Sequence, residues 1–211
     1  MGLITTFDGI EHDANELLEK MMDDDFYYGY LGKQALSSSN LKLLLSSIKQ
    51  YAKRLEGESE SSQPLRDGKL FHWKILEPDK FDDLNIVEVA SKNTKTYRAA
   101  VEEFGEVYTR PEITNAEELA QVLLLNKEAA SYLEGAEFEV PAIAMIDGLA
   151  FRGKADIKKG NQIIDIKTTI DIGKFNWSAR KYSYDLQAAL YLELFPDADE
   201  FIFLCIDKKT K

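Results

Sequence analysis

Apolar residues recur at two different periods along the chain, and the period changes near residue 136. Before that point the spacing is helical. Leu41, Leu44, Leu45, Ile48, Tyr51, Ala52 and Leu55 follow the i, i+3, i+4 rule and predict one helix with a single buried face, started by the hydroxyls of Ser37-Ser38-Ser39. The polar run EGESESSQP predicts a loop, and a second helix spans Pro64 to Leu76, with proline tolerated in its first turn and Glu77-Pro78 as its stop. Helical spacing returns over Thr96 to Phe104 and over Ala116 to Leu133, the latter closed by Gly135. From Ala136 the residues alternate. Two runs flank Asp147-Gly148, a strong hairpin turn signal, and Lys159-Gly160-Asn161 turns the chain into a third strand, Gln162 to Thr168. A helix from Ser183 to Phe195 and an apolar strand from Phe201 to Ile206 complete the pattern. Residues 1–35, acidic and aromatic, read as an irregular arm with one short helix, Asn15 to Met22.

The order of elements is helices, three meandering strands, helix, strand. It predicts an α/β fold in which residues 36–211 form a single domain behind the arm. Within that domain 36–135 is mostly helical and 136–211 carries the sheet core. At 211 residues the chain can bury a full core. No apolar run approaches the roughly 18 residues of a membrane span, and the start lacks a basic-then-apolar leader, so a cytoplasmic protein without a membrane partner is expected. The single cysteine, Cys205, excludes an internal disulfide and a cysteine-built zinc or iron–sulfur site.

The net charge of −11 weighs against a nucleic-acid partner, because phosphate binding needs a basic footprint. That charge is unevenly spread. Residues 151–211 carry 11 basic and 9 acidic residues, whereas residues 1–150 carry 15 basic and 28 acidic. The acid load therefore lies away from the most chemically suggestive stretch.

That stretch is GLAFRGKADIKKGNQIIDIKTT, residues 148–169. Side chains alternate along a strand, so Asp165 and Lys167 leave one face of it and Ile164 and Ile166 the other. Asp156 closes the preceding strand, which a short turn makes a neighbour. Two converging carboxylates suit Mg²⁺, with Mn²⁺ as an alternative, and a lysine beside them can position a water or steady charge on a phosphate. The same triplet is also what a surface salt bridge across a sheet looks like. His72 lies four residues after Gly68 on one helix face, where the glycine would let another backbone approach; a core or surface histidine satisfied by its neighbours is the commoner reading of such a residue taken alone. Gln187 and Tyr191 share a face of the penultimate element, and a buried glutamine there requires a partner.

Taken in order, GxxxH at 68–72, GxxD at 153–156, DxK at 165–167 and QxxxY at 187–191 resemble the RecB-type branch of the PD-(D/E)XK nucleases, and within it the RecE-like (exonuclease VIII) recombination nucleases. The stretches SSSNLKLLLSS, LRDGKLFHWKILEPDKF and YSYDLQAALYLELF support the likeness, which covers residues 36–206. Alanine, Ala155, stands where the family name has proline, and the chain stops soon after FIFLCIDKKTK, where the group continues, as a C-terminally truncated form would.

The resemblance implies a PD-(D/E)XK core: a mixed central sheet flanked by helices, with an N-terminal helical extension. It implies His72, Asp156, Asp165 and the carbonyl of Ile166 as metal ligands. Asp156, Asp165 and Lys167 would be catalytic, and Gln187 and Tyr191 would support the site and the DNA backbone. The implied activity is Mg²⁺-dependent 5′-to-3′ digestion of linear duplex DNA, leaving 3′ overhangs for a single-strand annealing protein, by a ring-like homo-oligomer. Arg152, Lys154, Lys174, Arg180 and Lys181 are the basic residues nearest the motif and the candidates to line the DNA. A structure-specific endonuclease on the same core, and a non-catalytic DNA-binding module of this fold, are the competing expectations.

Overall fold

The computed structural model describes residues 2–57 and 62–211, so the middle of the polar loop after residue 55 lies outside the described residues. At the N-terminus β1 (Leu3–Thr5) and β2 (Glu11–Asp13) pair antiparallel, with Ile4 opposite His12. Asp13 then caps α1 (Ala14–Lys20) by accepting from the amides of Asn15 and Glu16. A π-helical turn, Asp25–Tyr30, runs into α2 (Leu31–Gln34). Ser37 caps α3 (Ser38–Ser46), and α4 (Ile48–Leu55) follows as a separate helix.

The single long helix expected here is therefore broken. Ser47 is extended (φ −163°, ψ 103°) and its hydroxyl accepts from Gln50 N–H, so it starts a new helix instead of continuing the old one. Leu45 and Ile48, expected on the buried face, are 71% and 73% exposed.

α5 (Gln63–Leu76) carries Pro64 in its first turn, and Pro78 opens α6 (Pro78–Asp82). β3 (Ile86–Val87) and β4 (Tyr108–Thr109) pair in parallel, with α7 (Lys95–Phe104) between them in sequence. α8 (Arg110–Leu125) begins earlier than apolar spacing suggests, because Thr109 and Glu112 form a reciprocal capping box. Asn126 separates it from α9 (Lys127–Ser131) by capping the latter, so the expected helix to Leu133 is also two. The main sheet follows in the order β5 (Glu137–Ile146), β6 (Leu149–Lys159), β7 (Gln162–Thr169) and, beyond α10 (Phe175–Lys181) and α11 (Tyr184–Leu194), β8 (Glu200–Asp207). β5–β6 and β6–β7 are antiparallel. At one end of β7 and β8 the Asp199 N–H bonds Asn161 O, and at the other the Lys208 N–H bonds Thr169 O. The two strands thus run the same way, as a crossover through helices requires, and the sheet is mixed.

The chain forms two compact units: Met1–Glu60 with Gly135–Asp165 and Gly173–Phe203, and Ser61–Glu134 with Ile166–Ile172 and Leu204–Lys211. In the first, Leu190, Tyr191 and Leu194 of α11, with Phe195 at its C-cap, pack with Phe151, Ala155 and Ile163 of the sheet. The hairpin turn works as its residues dictate: Asp147 (φ 49°) and Gly148 (φ 80°) are both left-handed, and Ile146 lies opposite Leu149. The N-terminal segment is no irregular arm. Leu17, Met21, Tyr27 and Leu31 are buried together with Ile143 and Ala150, and Leu36 adds a parallel bridge beside Phe151 that covers part of an edge of β6.

In the second unit Leu70 and Phe81 pack with Tyr108, Ile113 and Ala116. Glu112 is its polar hub. One carboxylate oxygen accepts from Gln63 (2.8 Å), Arg66 (3.1 Å) and Lys92 (2.8 Å), and the other from the Thr109 N–H (2.9 Å) and hydroxyl (3.0 Å). Burial alone would raise this carboxyl, but the bonds from Lys92, Thr109, Gln63 and Arg66 outweigh it and bring it down to about 2. A depressed carboxyl stabilises the fold fully above its unfolded pKa of about 4.3, and loses that contribution as pH falls towards 2. Glu112→Gln is expected to lower stability at neutral pH by about 1–3 kcal/mol and to flatten the acid limb between those values. Urea unfolding at a series of pH values checks both. An unchanged acid limb in the variant would assign acid lability to other carboxylates.

Candidate active site

The two motif carboxylates lie on neighbouring strands just past the point where the ladder between them ends. β6 and β7 pair from Lys159 opposite Gln162 to Ile157 opposite Ile164, and the ladder ends there. One step further the same register sets Asp156 opposite Asp165, and residues directly opposite in an antiparallel pair share a face. Asp165 is only 4% exposed.

The opening has a consequence for the backbone of β6. Arg152 N–H bonds Leu36 O on the edge of β6 turned away from β5. Strand periodicity turns the peptide groups of Lys154 and Asp156 to that same edge, between the Leu36 bridge and the start of the β7 ladder. Tyr191 of α11 fills this position: its hydroxyl donates to Lys154 O at 3.0 Å. Burial, then Tyr27 and the charges of Asp156 and Asp165, push the Tyr191 phenol well above its ordinary value, so it stays protonated and remains a donor. Tyr191 is thus a buried clamp on the strand that carries Asp156 and does not reach out to a DNA backbone.

Gln187, one turn before Tyr191, explains why an apolar helix keeps an amide. Its Nε2 donates to Asp165 Oδ1 at 2.6 Å, and its Oε1 accepts from Lys42 Nζ at 3.2 Å. An amide between a carboxylate and an ammonium has only one useful orientation, and a glutamate there would repel Asp165. Lys42 sits in the SSSNLKLLLSS stretch and also stands over the Tyr184 ring at 5.1 Å. Sequence reasoning did not single it out. The only signal was a lysine inside an otherwise apolar helical spacing.

Gly153 is the glycine the packing demands. A Cβ there would lie 2.9 Å from Leu194 Cδ1 and 3.3 Å from the Tyr191 ring. Gly153→Ala is expected to displace Tyr191 and cost about 1–3 kcal/mol, read by denaturant unfolding. A neutral effect would mean that α11 yields freely. At Gly68 no such contact is seen: among the described residues, and apart from its own helix turn, no atom lies within 4 Å of where its Cβ would stand.

His72, on α5, points its Nε2 at Ile166 O, 2.8 Å away. A carbonyl only accepts, so Nε2 carries the proton here, and binding a metal through Nε2 would require the Nδ1–H tautomer. Two ligands of an octahedral ion with bonds of 2.0–2.1 Å lie about 3.0 Å apart when adjacent, so the spacing suits a pair of ligands to one such ion. β7 supplies Asp165, Ile166 and Lys167 in succession, and Lys167 is half-buried. Among the described residues no three His, Cys, Asp or Glu side chains form a cluster able to hold a metal by themselves. Within the second unit the His72 imidazole and the Ile166 carbonyl set a nitrogen and an oxygen donor side by side.

The basic residues divide. Arg152 is 4% exposed, donates to Leu31 O and lies over the Tyr27 ring. Lys154 is likewise buried and paired with Asp24 at 3.1 Å. Neither lines a surface: both are held by the N-terminal segment, which corrects their expected place along a DNA path. Lys174, Arg180 and Lys181 are exposed.

The fold and the two opposed carboxylates define a PD-(D/E)XK-type core. Residues 37–210 match the family described as a PDDEXK-like domain of unknown function, DUF3799, and the chain belongs to that family. No curated protein matches it. Among solved structures it is similar to a candidate exonuclease from Eubacterium rectale, at 19% identity and a TM-score of 0.68 over 89% of this chain and 74% of the other, a likeness of fold. A phage-related exonuclease from Haemophilus somnus 129PT aligns over 57% of this chain and 63% of its own, at 20% identity and a TM-score of 0.32. No helix among the described residues is long and apolar enough to cross a membrane.

Proposed function

We propose that this chain is a metal-dependent deoxyribonuclease that digests linear duplex DNA from an end. The observation that carries the reading is the Asp165 carboxylate, buried on the strand that also carries Lys167 and held by Gln187, with Asp156 opposite it in register. A structural salt bridge has no use for a buried carboxylate with a second, half-buried one opposite it at the open end of a ladder, where like charges repel. Asp156, Asp165 and the Ile166 carbonyl, with His72 as the nitrogen donor, would hold the metal. When bound, a divalent ion would supply Lewis-acid polarisation of a phosphate oxygen and a more acidic water. Gln187 fixes the Asp165 carboxylate, Tyr191 fixes the strand of Asp156, and Lys167 presents an ammonium on the face of Asp165 to orient a water and steady phosphate charge.

The finer reading is the RecE-like one: 5′-to-3′ polarity, a 3′ overhang handed to a single-strand annealing protein, and a ring-like assembly around the duplex. It rests on the four ordered motifs. Digestion of end-labelled linear duplex and of intact covalently closed circles, with Mg²⁺ or EDTA, tests both levels. Mg²⁺-dependent loss of the linear form alone is expected, with the 3′-labelled strand surviving. Equal cutting of closed circles would make it an endonuclease, and no cutting at any metal concentration would leave a binding module.

A further inference from the structure

One segment differs in chemistry from everything around it. From Ile172 to Tyr184 the chain carries Lys174, Arg180 and Lys181 and four aromatics, with no acid, in a protein of net charge −11. α10 lies in this stretch and buries none of its residues. Trp177 is 61% exposed, with the Lys181 ammonium 4.9 Å from its ring centroid and 5.1 Å from that of Tyr182. An indole offers a large flat apolar face, and on a helix without buried residues that face is available to a partner.

The segment is anchored and does not dangle. Phe175 contacts Tyr184 and Phe203 at 5.9 and 5.7 Å, and Tyr184 stacks on Phe203 at 5.4 Å. Tyr184 in turn lies under Lys42, whose ammonium bonds Gln187, the residue that holds Asp165. Ring contacts and hydrogen bonds thus tie the base of α10 to the carboxylate while Trp177, Arg180 and Lys181 stay at the surface.

We propose that α10 is a binding platform for an unpaired DNA strand, in which Trp177 stacks on a base and Lys174, Arg180 and Lys181 meet the phosphates. Charge selects the partner: three cations with no acidic residue between them in the sequence suit a polyanion. The indole selects the form. Bases in a duplex interior have their faces covered, so a flat aromatic can stack only on an unpaired or terminal base, and every base offers such a face regardless of sequence. The inference rests on the nuclease reading, since an enzyme that strips one strand of a duplex exposes the other beside its site.

The test uses the full chain in EDTA with oligo(dT) of roughly 10–16 nucleotides, the span of a typical single-strand site. Quenching of tryptophan emission on titration is expected, lost in Trp177→Phe, in which only Trp73 remains. Trp177→Ala should weaken binding about tenfold to a hundredfold, with Trp177→Phe retaining most of it because a ring still stacks. Lys181→Gln should lower the log–log salt slope by about 0.7. Cleavage of linear duplex in Mg²⁺ is measured on the same preparations. Parental oligo(dT) affinity in Trp177→Ala, with parental cleavage intact, overturns the platform and leaves the nuclease reading standing. Absence of both DNA binding and cleavage in the parent overturns both. A change in Trp177 emission that follows protein concentration without DNA assigns the surface to self-association and also overturns the platform.

Discussion

Asp165→Asn is expected to abolish cleavage of linear duplex, by about 10³-fold or more, in a protein that remains folded. The substitution is nearly isosteric, and an asparagine oxygen can still accept from Gln187 Nε2, so the bond between β7 and α11 survives. What disappears is a negative charge at a site 4% exposed to solvent, opposite a second carboxylate. Two consequences follow with opposite signs. Without metal, removing the buried charge of Asp165 opposite the half-buried Asp156 relieves repulsion and desolvation, so the variant unfolds in EDTA at the parent's denaturant concentration or above it. With metal, the loss of an anionic ligand weakens binding by at least about 10- to 100-fold, the scale at which even outer-shell partners matter. Calorimetric titration with Mn²⁺, unfolding in EDTA and a cleavage rate on one preparation separate the two. Parental cleavage would sink the metal-site assignment. A variant that is much less stable in EDTA would show that Asp165 serves the fold.

How much of this was readable in the sequence differs by the kind of signal. The hairpin at Asp147-Gly148 and the turn at Gly160 were legible because left-handed backbone admits few residues, and the order β5-β6-β7 followed from them, though not the place of β8. Helix boundaries were less legible. Apolar spacing carried the pattern straight through Ser47 and Asn126, where a side-chain cap outcompetes continuation, and missed the start of α8, which a capping box sets and not an apolar residue. α10 was invisible because it buries nothing, and periodicity reports only burial.

The site shows the same division. That Asp156 and Asp165 fall on neighbouring strands, and that a buried Gln187 needs a partner, could be read from residue type and spacing. Lys42 could not, because its role arises from a bond 145 residues away in sequence. Arg152 and Lys154 misled for the converse reason: proximity in sequence to a motif places a residue on the strand, but the Leu31 carbonyl and Asp24 decide where its charge goes.

Lys167→Ala is the second large effect, and it separates a salt bridge from chemistry. Asp165 and Lys167 are alternate residues of β7, about 7 Å apart along the strand, and leave the same face. If Lys167 only balances Asp165, its removal leaves a carboxylate freer to take a cation, so metal binding strengthens and cleavage barely changes. If it orients the attacking water or steadies phosphate charge, its loss acts on the transition state while metal and DNA still bind. The second outcome is expected: DNA affinity in Ca²⁺ close to the parent's, with single-turnover cleavage in Mg²⁺ slower by about 10²-fold or more. Lys167→Arg divides the two chemical roles. An arginine keeps the positive charge but does not give up its proton near neutral pH, so it restores rate if charge on the phosphate matters and fails if proton transfer does. Near-parental cleavage by Lys167→Ala would return the pair to a salt bridge, and the hydrolytic mechanism would then have no group on this strand to handle the water.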